Sequence, residues 1–168
     1  MTLPAEPVLV LRAPAHRVSR RAIGYWTVKA AVGWLILLAG QVIWLISADS
    51  FANARIAALV GTGVLAVGHL IVMPQWRYRV HRWESTDTAV YTQTGWFTQE
   101  RRIAPISRIQ TVDSEFGVVE RLFGLANVTV TTASAAGPVK IHGLGRADAN
   151  RLVAQLTTTT AATPGDAT

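Results

Sequence analysis

Two long apolar runs, Ala30–Ala48 and Ile56–Met73, dominate the first half of the chain, and a short polar stretch, Asp49–Arg55, separates them. At about 1.5 Å of rise per residue the runs reach roughly 28 and 27 Å as helices, close to the ~30 Å hydrocarbon core of a bilayer. So short a connection obliges the second helix to run antiparallel to the first. The pattern therefore predicts a membrane-spanning helical hairpin over residues 22–73, with helices at about 22–48 and 56–73. Before the first run, Tyr25 and Trp26 fall at interface depth and Lys29 can reach back to the headgroups. Pro74 lacks the N–H that would continue the ladder, so the second helix is expected to end there.

Beyond Pro74 the period shortens to two. Trp76, Tyr78 and Val80 alternate with Arg77, Arg79 and His81, as in a strand with one basic face. Thr88–Thr94 and Trp96–Ile103 flank Thr94-Gly95, which reads as a hairpin turn, and Arg108–Asp113 is a further strand. Val118–Phe123, bracketed by Gly117 and Gly124, is expected to form one or two helical turns. Leu125–Thr132 and Val139–His142 are strands separated by the Gly137-Pro138 turn. Gly143–Gly145 would be a flexible entry to a closing helix over Arg146–Leu156. There Ala149, Leu152, Val153 and Leu156 form an apolar stripe and Asp148 suits the first turn. The pattern divides the chain into a mobile basic tail (1–21), the hairpin (22–73), a mainly-β domain with a C-terminal helix (74–157) and a disordered tail rich in threonine and alanine (158–168).

Charge turns the hairpin into an oriented anchor. Only 15% of the 168 residues are charged, against about 25% in an average soluble domain. The net charge is +6. Arg12, Arg17, Arg20, Arg21 and Lys29 precede the first span, Arg77, Arg79 and Arg82 follow the second, and the connection holds only Arg55. By the positive-inside rule both termini are expected in the cytoplasm. Ser19-Arg20-Arg21 shares the opening of a twin-arginine export signal. However, the apolar stretch that follows is too long for a signal core, and a second span comes directly after it.

The chemistry is sparse. The absence of cysteine excludes disulfides, thiolate metal sites and cysteine nucleophiles. The four histidines form no HExxH, no GxSxG elbow or Walker loop is present, and Gly143-Leu144-Gly145 lacks the third glycine of a dinucleotide fingerprint. No catalytic, metal or cofactor site is therefore expected. Within the spans, Gln41 suits a hydrogen bond between helices, and His69, one turn from the end of its run, suits an interface anchor. Arg77, Arg79, Arg82, Arg101 and Arg102 are candidates for contact with anionic lipid, each worth about 1 kcal/mol near a charged leaflet. For Arg77 and Arg79 the competing reading is positive charge that only sets topology. Nucleic-acid binding is not expected, because the basic residues lack interleaved exposed aromatics.

Several ordered segments carry a family resemblance. Pro74-Gln75-Trp76-Arg77-Tyr78-Arg79 leads to Trp83-Glu84, Thr86 and Gly95, then to Arg101–Ile106, Ser107–Gln110 and Arg121–Leu125. Val128–Ala133 and Ile141–Leu144 complete the set. Together they resemble the bacterial PH-like domain of YdbS-like membrane proteins. The resemblance implies two nearly orthogonal antiparallel sheets in a partly open barrel, capped by the C-terminal helix. It says little about biochemistry, since such a fold hosts lipid, peptide and protein ligands alike. With no catalytic motif and a two-helix anchor, the expectation is a non-enzymatic module that contacts membrane lipids and a protein partner or a second copy of itself. Gly61, Gly63 and Gly68 on the second helix would allow close helix approach. An accessory subunit of a transport or export complex, with Gln41 and His69 along a path between protomers, is the alternative.

Overall fold

The computed structural model describes residues 12–47, 51–134 and 137–162. Helix α1 (Arg21–Ile46) and helix α2 (Ala52–Val80) pack against one another as a hairpin. Both carry long apolar faces on which Leu35, Ile36, Ile43, Val64 and Leu65 stand exposed. At 26 and 29 residues they reach about 39 and 44 Å, more than a bilayer core requires. The excess lies at one end, where the start of α1 and the finish of α2 enter the domain.

The expected stop at Pro74 is corrected by this arrangement. α2 continues through Pro74 to Val80, and residues 76–80 are helical rather than a strand. A proline inside a helix costs about 3 kcal/mol, and the packing of the last two turns offsets it. Pro74 and Val80 are buried, Tyr78 joins an aromatic cluster, and the Trp76 indole donates to the Trp96 carbonyl at 3.0 Å. The His81 N–H closes the helix on the Arg77 carbonyl at 2.8 Å. The alternation of Trp76, Tyr78 and Val80 with basic residues was thus satisfied by a helix whose sides meet different neighbours.

Two antiparallel sheets follow. The first runs in the order β1 (His16–Arg17), β2 (Arg82–Ser85), β3 (Ala89–Gly95), β4 (Gln99–Pro105). The second runs β5 (Ile109–Glu115), β6 (Leu125–Thr132), β7 (Val139–Gly145). A short helix α3 (Val118–Leu122) joins β5 to β6, and α4 (Arg146–Ala162) closes the domain. The main core lies between the sheets and α4, where Val90, Val128, Val130, Ile141 and Leu144 meet Ala149, Leu152 and Leu156. The predicted helical stripe is the one that packs.

Four further expectations change. The described part of the N-terminal segment is no mobile tail: His16 and Arg17 pair with Trp83 and Arg82, Val18 is buried, and Glu84 holds both Arg12 and the Ala15 N–H. Residues 1–11 lie outside the described part. The β3–β4 turn is at 96–98, because Gly95 pairs with Gln99. Gly95 adopts φ +127°, and a Cβ there would lie 1.9 Å from the Thr98 carbonyl oxygen, so glycine is required. Gly143–Gly145 is strand, not a flexible entry. Finally, α4 runs past 157 to Ala162. Thr157, Thr158, Thr159 and Thr160 each return their hydroxyl to the carbonyl four residues earlier, which satisfies the hydroxyls within the helix. The rest of the expected tail, 163–168, lies outside the described residues.

A second core ties the hairpin to the domain. Val18, Ala22, Tyr25 and Trp26 bury with Leu125, and Tyr78, Trp83 and Phe123 pack around them. β7 approaches α1 closely: Gly143 has φ +76°, and a Cβ there would lie 3.0 Å from that of Ala22. Its carbonyl accepts the Ser19 N–H at 2.9 Å.

Candidate functional site

Where the hairpin enters the domain, a cleft opens between α1, α2, β7 and the β3–β4 turn. It has two lobes of about 450 and 510 Å³ that share His69, Met73, Arg77 and His142. One lobe is completed by His81, Thr94, Gly95 and Trp96; the other by Tyr25, Trp26, Lys29, Ala30, Glu120 and Asn127. Helical spacing accounts for the walls, because Tyr25, Trp26 and Lys29 on α1 recur about once per turn, as do His69, Met73 and Arg77 on α2. Asn127 reaches the cleft from the irregularity in the β6–β7 register between Ala126 and Val128, and its side-chain oxygen accepts the Gly143 N–H at 3.1 Å.

The cleft holds two cations against an aromatic lining. The Arg77 guanidinium lies over the Trp26 ring at 4.7 Å, and the Lys29 ammonium over the Tyr25 ring at 5.4 Å. Neither forms an ion pair with a carboxylate among the described residues. Glu120 is the acid of the site. It accepts the Tyr25 hydroxyl at 2.7 Å and the Asn127 amide at 3.5 Å. The Tyr25 bond holds its carboxyl below the usual range, with smaller help from Asn127 and Lys29. His81 is buried against Trp26, ring centroids 5.0 Å apart, and burial lowers its pKa to about 4, so it is neutral at pH 7. His142 is lowered too, first by loss of water on its cleft side and then by Lys140 and Arg77. Near neutral pH the lining thus presents two cations, one carboxylate and the neutral imidazole of His81. It suits an anion of low charge, and no cluster of three or more metal-ligating residues occurs among the described residues.

The five arginines singled out from the sequence do not form one surface. Only Arg77 lines the cleft. Arg79 is exposed on α2, and Arg82 reaches the Pro14 carbonyl at 3.4 Å, fastening the N-terminal segment. On β4, Arg101 donates to the Gln93 side chain at 3.1 Å, while Arg102 pairs with Glu100 and donates to the Pro138 carbonyl at 3.2 Å. Tyr25, Trp96, Glu120, Asn127 and His142 had no sequence signal as site residues, since they lie far apart along the chain. Inside the spans, Gln41 donates to the Thr62 hydroxyl at 2.8 Å, as its helix-bridging reading requires. His69 accepts the Trp34 indole N–H at 3.0 Å.

A hairpin of two candidate spans, followed by two antiparallel sheets and a capping helix, has the architecture of a PH-like domain protein. Residues 22–159 match the bacterial PH domain family, and the chain belongs to that family. It is also 29% identical, over 79 residues, to the UPF0699 transmembrane protein YdbS of Bacillus subtilis (strain 168). That match takes in 47% of this chain and 50% of the relative, so it spans about half the length of each. No solved structure matches the chain.

Proposed function

We propose that this is a non-enzymatic membrane module whose PH-like domain mediates protein or lipid interaction at the cytoplasmic face. The observation that carries the reading is the second core, in which Ala22, Tyr25 and Trp26 of α1 bury with Leu125 of β6. The domain is therefore seated on the hairpin without a linker, and the cleft with Lys29 and Arg77 lies where the helices leave their apolar runs. Cytoplasmic placement of both termini is supported by the basic flanks on either side of the hairpin. The lipid arm is tested by native mass spectrometry of the full chain from mixed micelles. Phosphatidylglycerol adducts should outlast phosphatidylcholine adducts, and R77Q should lose that preference. Equal retention in both proteins removes the lipid arm. The protein arm is tested by crosslinking in intact membranes, and the absence of any reproducible partner or self-crosslink removes it.

The accessory-subunit reading rests on one feature of the spans. The side-chain oxygen of Gln41 is buried without a hydrogen-bond partner among the described residues, and Gly61 and Gly68 leave the α2 face open to another helix. Q41L with unchanged oligomeric state and unchanged crosslinks would remove this reading.

A further inference from the structure

The β3–β4 turn is an apolar tip pressed against the hairpin. From Ala89 to Gln99 no residue is charged, and the tip itself is Trp96-Phe97-Thr98. The Trp96 ring meets His69 of α2 edge-on, centroids 5.6 Å apart, while its carbonyl accepts the Trp76 indole N–H. His69 lies four residues before Met73, the last residue of the apolar run, which is about 6 Å of helix inside it. The tip therefore sits level with the end of the span rather than above it. Phe97, against the Trp96 ring at 3.8 Å, is 85% exposed. It continues an exposed face formed on α2 by Val72 and Trp76, 57% and 46% exposed.

We infer that the Trp96-Phe97 tip is inserted into the interfacial region of the leaflet that α2 leaves, making a membrane contact separate from the two helices. The Trp76 and Trp96 indoles and the Phe97 ring at this depth match the aromatic belts that settle at headgroup level, where amphipathic rings are favoured. The occupant is the phospholipid boundary itself, because the tip is continuous with the lipid-facing side of α2. The inference rests on the membrane-spanning reading of α1 and α2. Its consequence is that the domain is held at three points, and the lobe lined by Thr94, Gly95 and Trp96 faces lipid rather than bulk water.

The absence of native cysteine allows a direct test on the full chain. Single variants Phe97→Cys, Val64→Cys and Asp87→Cys carry a nitroxide in vesicles of phosphatidylethanolamine and phosphatidylglycerol, and relaxation by oxygen is compared with relaxation by a water-soluble nickel chelate. Val64 is exposed in mid-span, and Asp87 is exposed beyond the opposite end of β3, a strand that spans about 20 Å from Ala89 to Gly95. The Phe97 label should favour oxygen, as the Val64 label does, while the Asp87 label favours nickel. A Phe97 label that favours nickel, or that meets neither reagent because protein covers it, beside an embedded Val64 label overturns the tip alone. A Val64 label that favours nickel overturns the membrane reading and the tip with it. Each label replaces an exposed side chain, so loss of folding does not enter the outcome.

Discussion

Replacing Trp26 with alanine should uncouple the domain from the hairpin without unfolding either. Trp26 is 3% exposed, packs on His81 at 5.0 Å and lies under the Arg77 guanidinium at 4.7 Å. Truncating a buried tryptophan costs about 3–5 kcal/mol, and the loss of a partly desolvated cation–π contact adds about 1 kcal/mol. The total is about 4–6 kcal/mol, and its lower end already corresponds to about a thousandfold in a local opening equilibrium. The effect should concentrate in the last turns of α2. Pro74 removes one ladder bond there, and Tyr78, Val80 and His81 depend on side-chain packing. The main core does not contain Trp26. Hydrogen exchange of the full chain in lipid nanodiscs reads the outcome: amides of 75–81 should exchange about a thousandfold faster or more, while Val128 and Val130 of β6 stay protected. Equal acceleration in both regions would refute the idea of a separable junction, and unchanged exchange at 75–81 would refute the packing argument itself. Trp26→Phe, which retains a ring beneath Arg77, should give a smaller change at the same amides.

His81 makes stability depend on pH. Its folded pKa of about 4 lies below the ordinary 6.5, so the unfolded chain binds more protons between those values and stability falls as pH drops from 6.5 toward 4. The loss should reach about 2 kcal/mol by pH 5 and be absent in H81Q, as read by denaturant unfolding in detergent at pH 7.5 and 5. Gly143→Ala forces a Cβ against Ala22 at a positive φ, and should lower the melting temperature through a loss of about 1–3 kcal/mol. Leu156→Ala, at a fully buried site of α4, should cost about 2–5 kcal/mol and expose β5–β7 to proteolysis. Retention of wild-type protease resistance would show that the stripe is not part of the core.

How much was legible depends on whether a residue's partner is near in sequence. Leu125–Thr132 and the helical turns beginning at Val118 have the predicted starts because their own period and bracketing glycines define them. The α4 stripe was readable for the same reason. The strand expected over 76–81 failed because an alternation of apolar and basic residues also serves a helix packed on several sides. Phe97 was expected inside a strand, and it became a turn residue because the register of β3 on β4 places Gly95 opposite Gln99. The arginines were visible as charge, but Gln93, Glu100, Pro14 and Pro138 withdrew three of them into structural contacts.

By itself the sequence determined the hairpin, the basic flanks and the family, since apolar length and charge placement are local properties of the chain. Only the tertiary structure decided where the two long helices end, because an interior proline is tolerated when Trp26, Trp96 and Leu125 supply the packing that the lost hydrogen bond no longer provides. The cleft belongs to that second category as well. Lys29, Arg77, Glu120 and His142 meet there only because β7 approaches α1 across a glycine.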